Sequence, residues 1–367
     1  MTGEECLNAA VMGANEIMSR FKAQELPPTE RFHYHQCVFL QGIEQLYKIT
    51  GEKRYFDYIK DYVDFNIDGD GFASHANMTE FDDLQPAVLL FNLYKETGDV
   101  RYKKWLDTVK CHIERWPTNA LGGVWHKYRN KNQLWLDTMY MMGVLAAELA
   151  FFNSEDEYLI NKVYTQMRLI KEHMINKENG LLYHMWDDSR KNKFADKEDG
   201  LVKVHWGRAM SWYVAAMFSI AELMPHSHPL RSEFTDTGVE FLKNVIKYRN
   251  NSSGLWYQVL DMTQDERNWE ETSCSALFTY AAAKAYNLGV KDKECESVIE
   301  SGFNGVMSKA QTKDDKLYLS GVCIGTGVGI LDMYFDRPTV TNDLHGMGAF
   351  LLMCTEVYKY FQNKKIV

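Results

Sequence analysis

Two short segments of this chain set acid–base chemistry in aromatic surroundings: Trp135-Leu136-Asp137-Thr138-Met139-Tyr140-Met141 and His205-Trp206-Gly207-Arg208-Ala209-Met210-Ser211-Trp212. A carboxyl packed by indole and phenol rings has its neutral form favoured, so Asp137 could give up a proton near neutral pH. A planar guanidinium braced by indole can hold a carboxylate through two hydrogen bonds, and indole faces can stack on a sugar ring. In an ideal helix only Trp212, four residues on, shares the face of Arg208, whereas Trp206 does not. The combination points to a carbohydrate-active enzyme that handles an acidic sugar.

Asp137 heads a helix-like stretch, where the helix dipole favours a carboxylate, although a plain first-turn or N-cap role is the competing reading. Asp82 and Asp83, in Glu80-Phe81-Asp82-Asp83-Leu84-Gln85-Pro86, head another inner segment. Two carboxylates on neighbouring inner helices could face one cavity, with helix capping before Pro86 as the alternative. His126, after Trp125, and His184, in Leu182-Tyr183-His184-Met185-Trp186-Asp187, could hydrogen-bond the same substrate from rim loops, though each taken singly reads as an ordinary loop histidine. His33 and His35 are two apart, which places them on one side of a strand but on different faces of a helix. No acidic or Cys partner stands beside them in sequence, so no metal site is expected, and one ring is expected to line the cavity. The chain has no GxSxG elbow, P-loop or HExxH. Gly325-Thr326-Gly327-Val328-Gly329 lacks dinucleotide spacing and reads as a tight rim loop.

The elements that must position these residues follow one grammar: an apolar helix, a short Gly-containing turn and an amphipathic helix. Phe39 onward (FLQGIEQLYKITGEKRYFDYIKDYVDF) and Val88 onward (VLLFNLYKETGDVRYKKWLDTVKCHIERW) share Leu-Tyr-Lys, then Thr-Gly, then Arg-Tyr, so the Gly is placed for a helix C-cap. Weaker copies put first helices near 137–152, 205–223, 270–287 and 343–360, and outer partners near 156–173, 230–248 and 291–309. Residues 2–21 supply a helix before the first hairpin. First helices are richer in Ala, Gly and Met, and second helices carry a polar face, as inner and outer layers require. Long connections bearing a Gly soon followed by Trp or Tyr (122–126, 180–187, 254–258) read as short strands or turns gathered on one rim. The spacing predicts an all-α toroid of six α/α hairpins, closed rather than solenoidal, with residues 1–367 as a single catalytic domain.

Composition limits the partners. With 46% hydrophobic residues the chain buries a large core, and 13% aromatics, including 9 Trp and 21 Tyr, are enough for a sugar-stacking surface as well. A net charge of −9 without a long Lys/Arg run disfavours nucleic acid and anionic membrane, so an anionic substrate needs a local cation. No apolar run approaches the roughly 20 residues that cross a bilayer. The opening MTGEECLNAA is not a basic stretch followed by an apolar core, so a cytoplasmic location is expected, or a periplasmic one if a leader was removed from the natural chain. The 7 scattered cysteines read as buried free thiols.

In order along nearly the whole chain, Phe81 to Pro86, Trp135 to Met141, Tyr183 to Asp187, Trp206-Gly207-Arg208 through Trp212, Glu271-Thr272-Ser273 and Asn342-Asp343-Leu344-His345-Gly346 resemble unsaturated rhamnogalacturonyl hydrolases, glycoside hydrolase family 105. Trp-Leu-Asp and Trp-x-Arg-x-x-x-Trp are the specific pieces of the likeness. Related unsaturated glucuronyl hydrolases share the fold and the paired Asp. The resemblance implies an α/α six-barrel that needs no metal or organic cofactor. Its substrates would be lyase-generated oligosaccharides ending in a 4,5-unsaturated uronic acid, here from rhamnogalacturonan. It also implies Asp137 as general acid and base and Asp82 as its partner, with adjacent Asp83 leaving that assignment open by one position. His126, His184, Trp206, Arg208 and Trp212 would hold the substrate, with His33 and His345 beside them. Gly207 stands where Ala is usual, and His345 with the 325–329 loop points to a subgroup with a different preferred sugar. The competing readings are a glucuronyl hydrolase, a His-dependent sugar epimerase or isomerase on a similar barrel, and a helical-repeat binding scaffold.

Overall fold

The computed structural model describes residues 1–152 and 155–365. Helix α1 (Gly3–Arg20) precedes hairpin α2/α3 (Tyr34–Thr50, Lys53–Asn66), and α4 (Phe81–Leu84) and α5 (Leu89–Thr97) then pair with α6 (Val100–Glu114). A wide π turn over Met139–Val144 runs into α7 (Leu145–Phe152), which pairs with α8 (Glu157–His173). Next come α9/α10 (Gly207–Leu223, Arg231–Ile246) and α11 (Thr272–Asn287) with α12 (Lys293–Ser297) and α13 (Ile299–Ser308). Short α14 (Leu331–Phe335) leads to α15 (Leu344–Lys364), whose outer partner is α1. These are the six hairpins expected from the repeat.

The layers follow from composition. Every residue from Gly207 to Ala221 of α9 and from Thr272 to Ala285 of α11 is buried, whereas α3 buries only Tyr55, Ile59, Tyr62, Val63 and Asn66, at helical spacing. Inner helices pack in the ring order α2, α15, α11, α9, the π turn with α7, and the α4–α5 segment, which returns to α2. At the seam, a Cβ on Gly348 of α15 would lie 2.4 Å from backbone atoms of Val38 and Phe39, so first and last inner helices meet backbone to backbone. Gly51 and Gly98 cap α2 and α5 at φ 69° and 70°, donating to the Tyr47 and Tyr94 carbonyls at 2.8 Å, as the repeat requires.

The rim loops repeat a signal beyond the Gly–aromatic pairing. Asp68, Asn119, Asn176 and Asn250 each accept the backbone N–H two residues on, ahead of left-handed Gly71, Gly122, Gly180 and Gly254. Among the described residues three small antiparallel sheets sit in the connections between helices. Strands β1 (Gln133–Trp135), β2 (Met185–Asp187) and β3 (Leu201–Val202) form one sheet, β4 (Ala310–Lys313) pairs with β5 (Lys316–Leu319), and β6 (Val322–Cys323) pairs with β7 (Thr339–Val340). All seven cysteines are free, six buried as expected and Cys111 exposed. Among the described residues no helix is long and apolar enough to cross a membrane.

Candidate active site

The β1–β2 register aligns Trp135 with Met185, and Leu136 N–H donates to the His184 carbonyl at 3.3 Å, so the residues that follow β1 and precede β2 come side by side. Asp137 enters the π turn, its carbonyl accepting from Tyr140 and Met141, both at 3.0 Å. Such widened turns recur at functional sites. His184 Nε2 lies 3.3 Å from Asp137 Oδ2 but off a hydrogen-bond line, an electrostatic contact, while its Nδ1 meets the Tyr334 hydroxyl at 2.7 Å. His126 stacks on Trp135 (4.4 Å, 15°) and joins Thr138 Oγ1 at 3.0 Å through Nδ1, which presents its other nitrogen 4.0 Å from Asp82 Oδ1.

Asp137 and His126 open onto one cavity of about 320 Å³, whose lining also includes Asp82, His33, Tyr34 and Trp135, while fully buried His184 stands behind Asp137 and off that lining. Lys127, Arg129 and the 325–327 loop complete it, the latter on the rim as its glycines suggested. The adjacent aspartates part company. Asp82 faces the cavity and pairs with the Lys127 ammonium, whereas buried Asp83 turns away to Arg31 at 2.5 Å and accepts the Asn77 N–H at 3.0 Å.

The electrostatics depart from expectation at Asp137. Burial pushes its carboxyl upward, as the aromatic neighbours suggested, but His184 and then His126 outweigh burial and hold it below the usual carboxylate range. Burial likewise opposes ionisation of Asp82, yet Lys127, His126 and His33 hold it well below that range. Burial lowers His126 and His33 to about 4 each, against the pull of the Asp82 carboxylate.

A histidine at about 4 when folded and near 6.5 when unfolded leaves the unfolded chain binding more protons between those values, so its contribution is full above pH 6.5 and lost as pH falls toward 4. In urea titrations at pH 7 and pH 5, the double variant His33→Gln, His126→Gln should lose less stability on acidification than the wild type. Comparing the two proteins isolates the histidines from Asp83, whose carboxyl burial pushes up to about 6 and which works in the opposite sense. Equal losses would show that neither ring is held neutral.

Other expected site residues lie behind the cavity wall. Arg208 is 1% exposed, its guanidinium 4.5 Å over the Trp206 ring and donating to the Cys323 and Ile324 carbonyls at 2.7 Å each. Trp206, not Trp212, is therefore its stacking partner, because Arg208 follows the helix N-cap and folds back over it. Trp212 packs on Tyr140 at 4.5 Å within the inner layer, and His345 is fully buried beside Asp343. Lys127 and Arg129 were missed, although His126-Lys127-Tyr128-Arg129 set cations at alternate positions beside a chosen histidine. Lys127 is shared by Glu80 and Asp82, while the Arg129 side chain is 74% exposed with Glu80 at 3.7 Å, leaving it as a cation open to a ligand.

A closed α/α toroid with two carboxylates, a stacked aromatic pair and a largely exposed guanidinium at one mouth is a concave site whose polar groups suit an acidic sugar. The family model described as Glycosyl Hydrolase Family 88 matches residues 10–361, and the chain belongs to that family of glycoside hydrolases. A Family 105 glycoside hydrolase from C. acetobutylicum ATCC 824 superposes with a TM-score of 0.89 at 28% identity, over 96% of this chain and 99% of that one. An unsaturated rhamnogalacturonyl hydrolase, YesR, of Bacillus subtilis is 23% identical over 65% of this chain and 66% of its own length. An unsaturated 3S-rhamnoglycuronyl hydrolase of Alteromonas sp. is 26% identical over 50% of this chain and 42% of its own length.

Proposed function

We propose that this enzyme removes a 4,5-unsaturated uronic acid from the non-reducing end of lyase-generated, rhamnogalacturonan-derived oligosaccharides by hydrating the C4=C5 bond, with residues 1–367 acting as one catalytic domain. The observation that carries this reading is Asp137 opening onto the same cavity as Asp82, between His184 and His126, with the largely exposed Arg129 guanidinium on the same lining. A proton from Asp137 adds to C4 and leaves C5 an oxocarbenium-like centre. Water adds to C5 and returns a proton to the Asp137 carboxylate, so the acid is regenerated. The hemiketal formed at C5 opens, and the glycosidic bond parts without attack at the anomeric carbon, unlike the usual two-carboxylate route.

Asp137 is ionised in the empty site, and substrate supplies what it lacks. A bound uronate brings a second negative charge and displaces water, both of which favour the neutral carboxyl. Asp82, kept ionised by Lys127, is a like charge on the same cavity, and like charges favour the neutral carboxyl. Trp135 and His126 offer a stacked face to the sugar ring.

Arg129 takes the substrate carboxylate, because the Arg208 guanidinium, the cation suggested by the sequence, is committed to backbone carbonyls. Arg129→Gln should raise KM by about 10-fold with kcat within about 2-fold, the pattern of lost uniform binding. The check is steady-state kinetics followed by loss of the ultraviolet absorbance of the conjugated uronate. An unchanged KM would remove Arg129 from the site. Convergence of carboxylates, histidines and a cation on one mouth also favours the enzyme over a binding scaffold, whose concave face needs none of them.

A further inference from the structure

We propose that His35, Asp343 and His345 form a zinc-type divalent metal site that clasps the first and last inner helices of the ring. One potential ligand atom from each lies within 4.8 Å of the others. His35 belongs to the first turn of α2, while Asp343 caps α15 and His345 lies in its first turn, so the three come from opposite ends of the chain and meet only at the seam. The acidic partner that the neighbourhood of His33 and His35 lacked in sequence is thus provided by the fold.

His345 supplies the second, independent observation. It is 0% exposed, and neither ring nitrogen makes a hydrogen bond. Its Nδ1 lies in ionic contact with Asp343 Oδ1 at 2.5 Å but off a good hydrogen-bond line, and its Nε2 has no polar partner. A buried imidazole with both nitrogens unsatisfied is costly, and a shared cation satisfies one of them together with the carboxylate. Two imidazoles and a carboxylate are a donor set that zinc and neighbouring divalent ions accept. For donors each about 2.0 Å from a tetrahedral ion, mutual separations are roughly 3.3 Å, so the longest separations, up to 4.8 Å, must close by up to about 1.5 Å while His345 Nδ1 and Asp343 Oδ1 open by roughly 0.8 Å.

The site has an entry path and a consequence. His35 and Asp343 line a cavity of about 500 Å³ adjoining the catalytic one, with which it shares His33 and His35. His35 Nε2 meets the Tyr34 hydroxyl at 2.9 Å, and Tyr34 lines the catalytic cavity, so an ion on the other side of that imidazole orients a cavity wall from behind. Arg208 adds a fixed positive charge nearby, which lowers the affinity without removing the donors. The clasp does not depend on the reaction proposed above.

The test uses the full chain carrying Cys111→Ser, to remove the exposed thiol, stripped with chelator and equilibrated with Zn²⁺. Equilibrium dialysis with metal analysis should find about one bound equivalent, and the thermal midpoint should rise by about 3 °C or more at 100-fold excess over Kd. Asp343→Asn keeps a competent helix cap, and His345→Gln keeps much of the volume. Each should weaken Zn²⁺ binding at least about 100-fold and abolish the thermal response, while circular dichroism of the zinc-free variants matches the parent. No uptake by the parent, or uptake equal in both variants, overturns the site.

Discussion

Asp137→Asn should turn over an unsaturated rhamnogalacturonan disaccharide at least about 10²-fold more slowly than the wild type, the scale of a lost general acid. The amide fills the same space beside His184 and Trp135, so the cavity keeps its shape, but it has no proton to give to C4 and no basic oxygen to take one back from water. The loss should fall on kcat, with KM changed less, because the side chain acts on the reacting atoms and the sugar is held by its neighbours. The wild-type pH profiles should carry a further mark of this residue. His184 and His126 keep the empty-site carboxyl low, whereas a bound uronate raises it, so the acid should titrate at higher pH in kcat than in kcat/KM. Coincident profiles would mean that substrate does not recharge Asp137.

Arg208→Met should destabilise the protein by about 3–5 kcal/mol, measured by urea unfolding, the cost typical of removing one partner from a buried charge network. The Cys323–Ile324 backbone is pinned from two sides: Arg208 donates to both carbonyls, and the fully buried Glu271 carboxylate accepts the Cys323 N–H at 2.9 Å. Methionine fills the space over Trp206 but removes the Arg208 donors from both carbonyls, leaving Ile324 with the Thr326 hydroxyl alone, and leaves Glu271 without its balancing charge. The 325–327 rim loop that follows these carbonyls loses one of its two guanidinium anchors, the other being Arg337, so activity should fall together with stability. Arg208→Lys should be intermediate, since an ammonium cannot span two acceptors as a guanidinium fork does. If Arg208 instead gripped the substrate carboxylate, KM would rise while the unfolding midpoint stayed put.

The contrast between Arg208 and Gly51 shows what local sequence carries. Gly51 and Gly98 follow matching Leu-Tyr-Lys runs, and their capping role depends on residues within one turn, so the hairpin repeat and the six-fold ring were legible from spacing. Arg208 spends its donors on carbonyls more than a hundred positions away, and nothing near it announces them. The same limit separates Asp82 from Asp83: adjacent carboxylates share every local signal, and only Lys127 on the facing loop and Arg31 behind decide which one meets the cavity. The aromatic neighbours that single out Asp137 in the sequence are present around it. The histidines that reverse the effect of burial arrive on other rim loops, positioned by the β1–β2 register and by the Thr138 hydroxyl. His345 was placed with the substrate on resemblance, but its surroundings are a seam between helices that only ring closure creates.

The most direct measurement of alkene hydration compares two signals in one wild-type reaction: disappearance of the ultraviolet absorbance of the unsaturated uronate and appearance of the released saccharide. Hydration at C4=C5 requires the absorbance to vanish no later than the saccharide appears, one double bond per molecule cleaved, with both signals slowed alike in Asp137→Asn. Saccharide released ahead of the absorbance loss, or equal turnover by the variant, would contradict protonation of the double bond by Asp137.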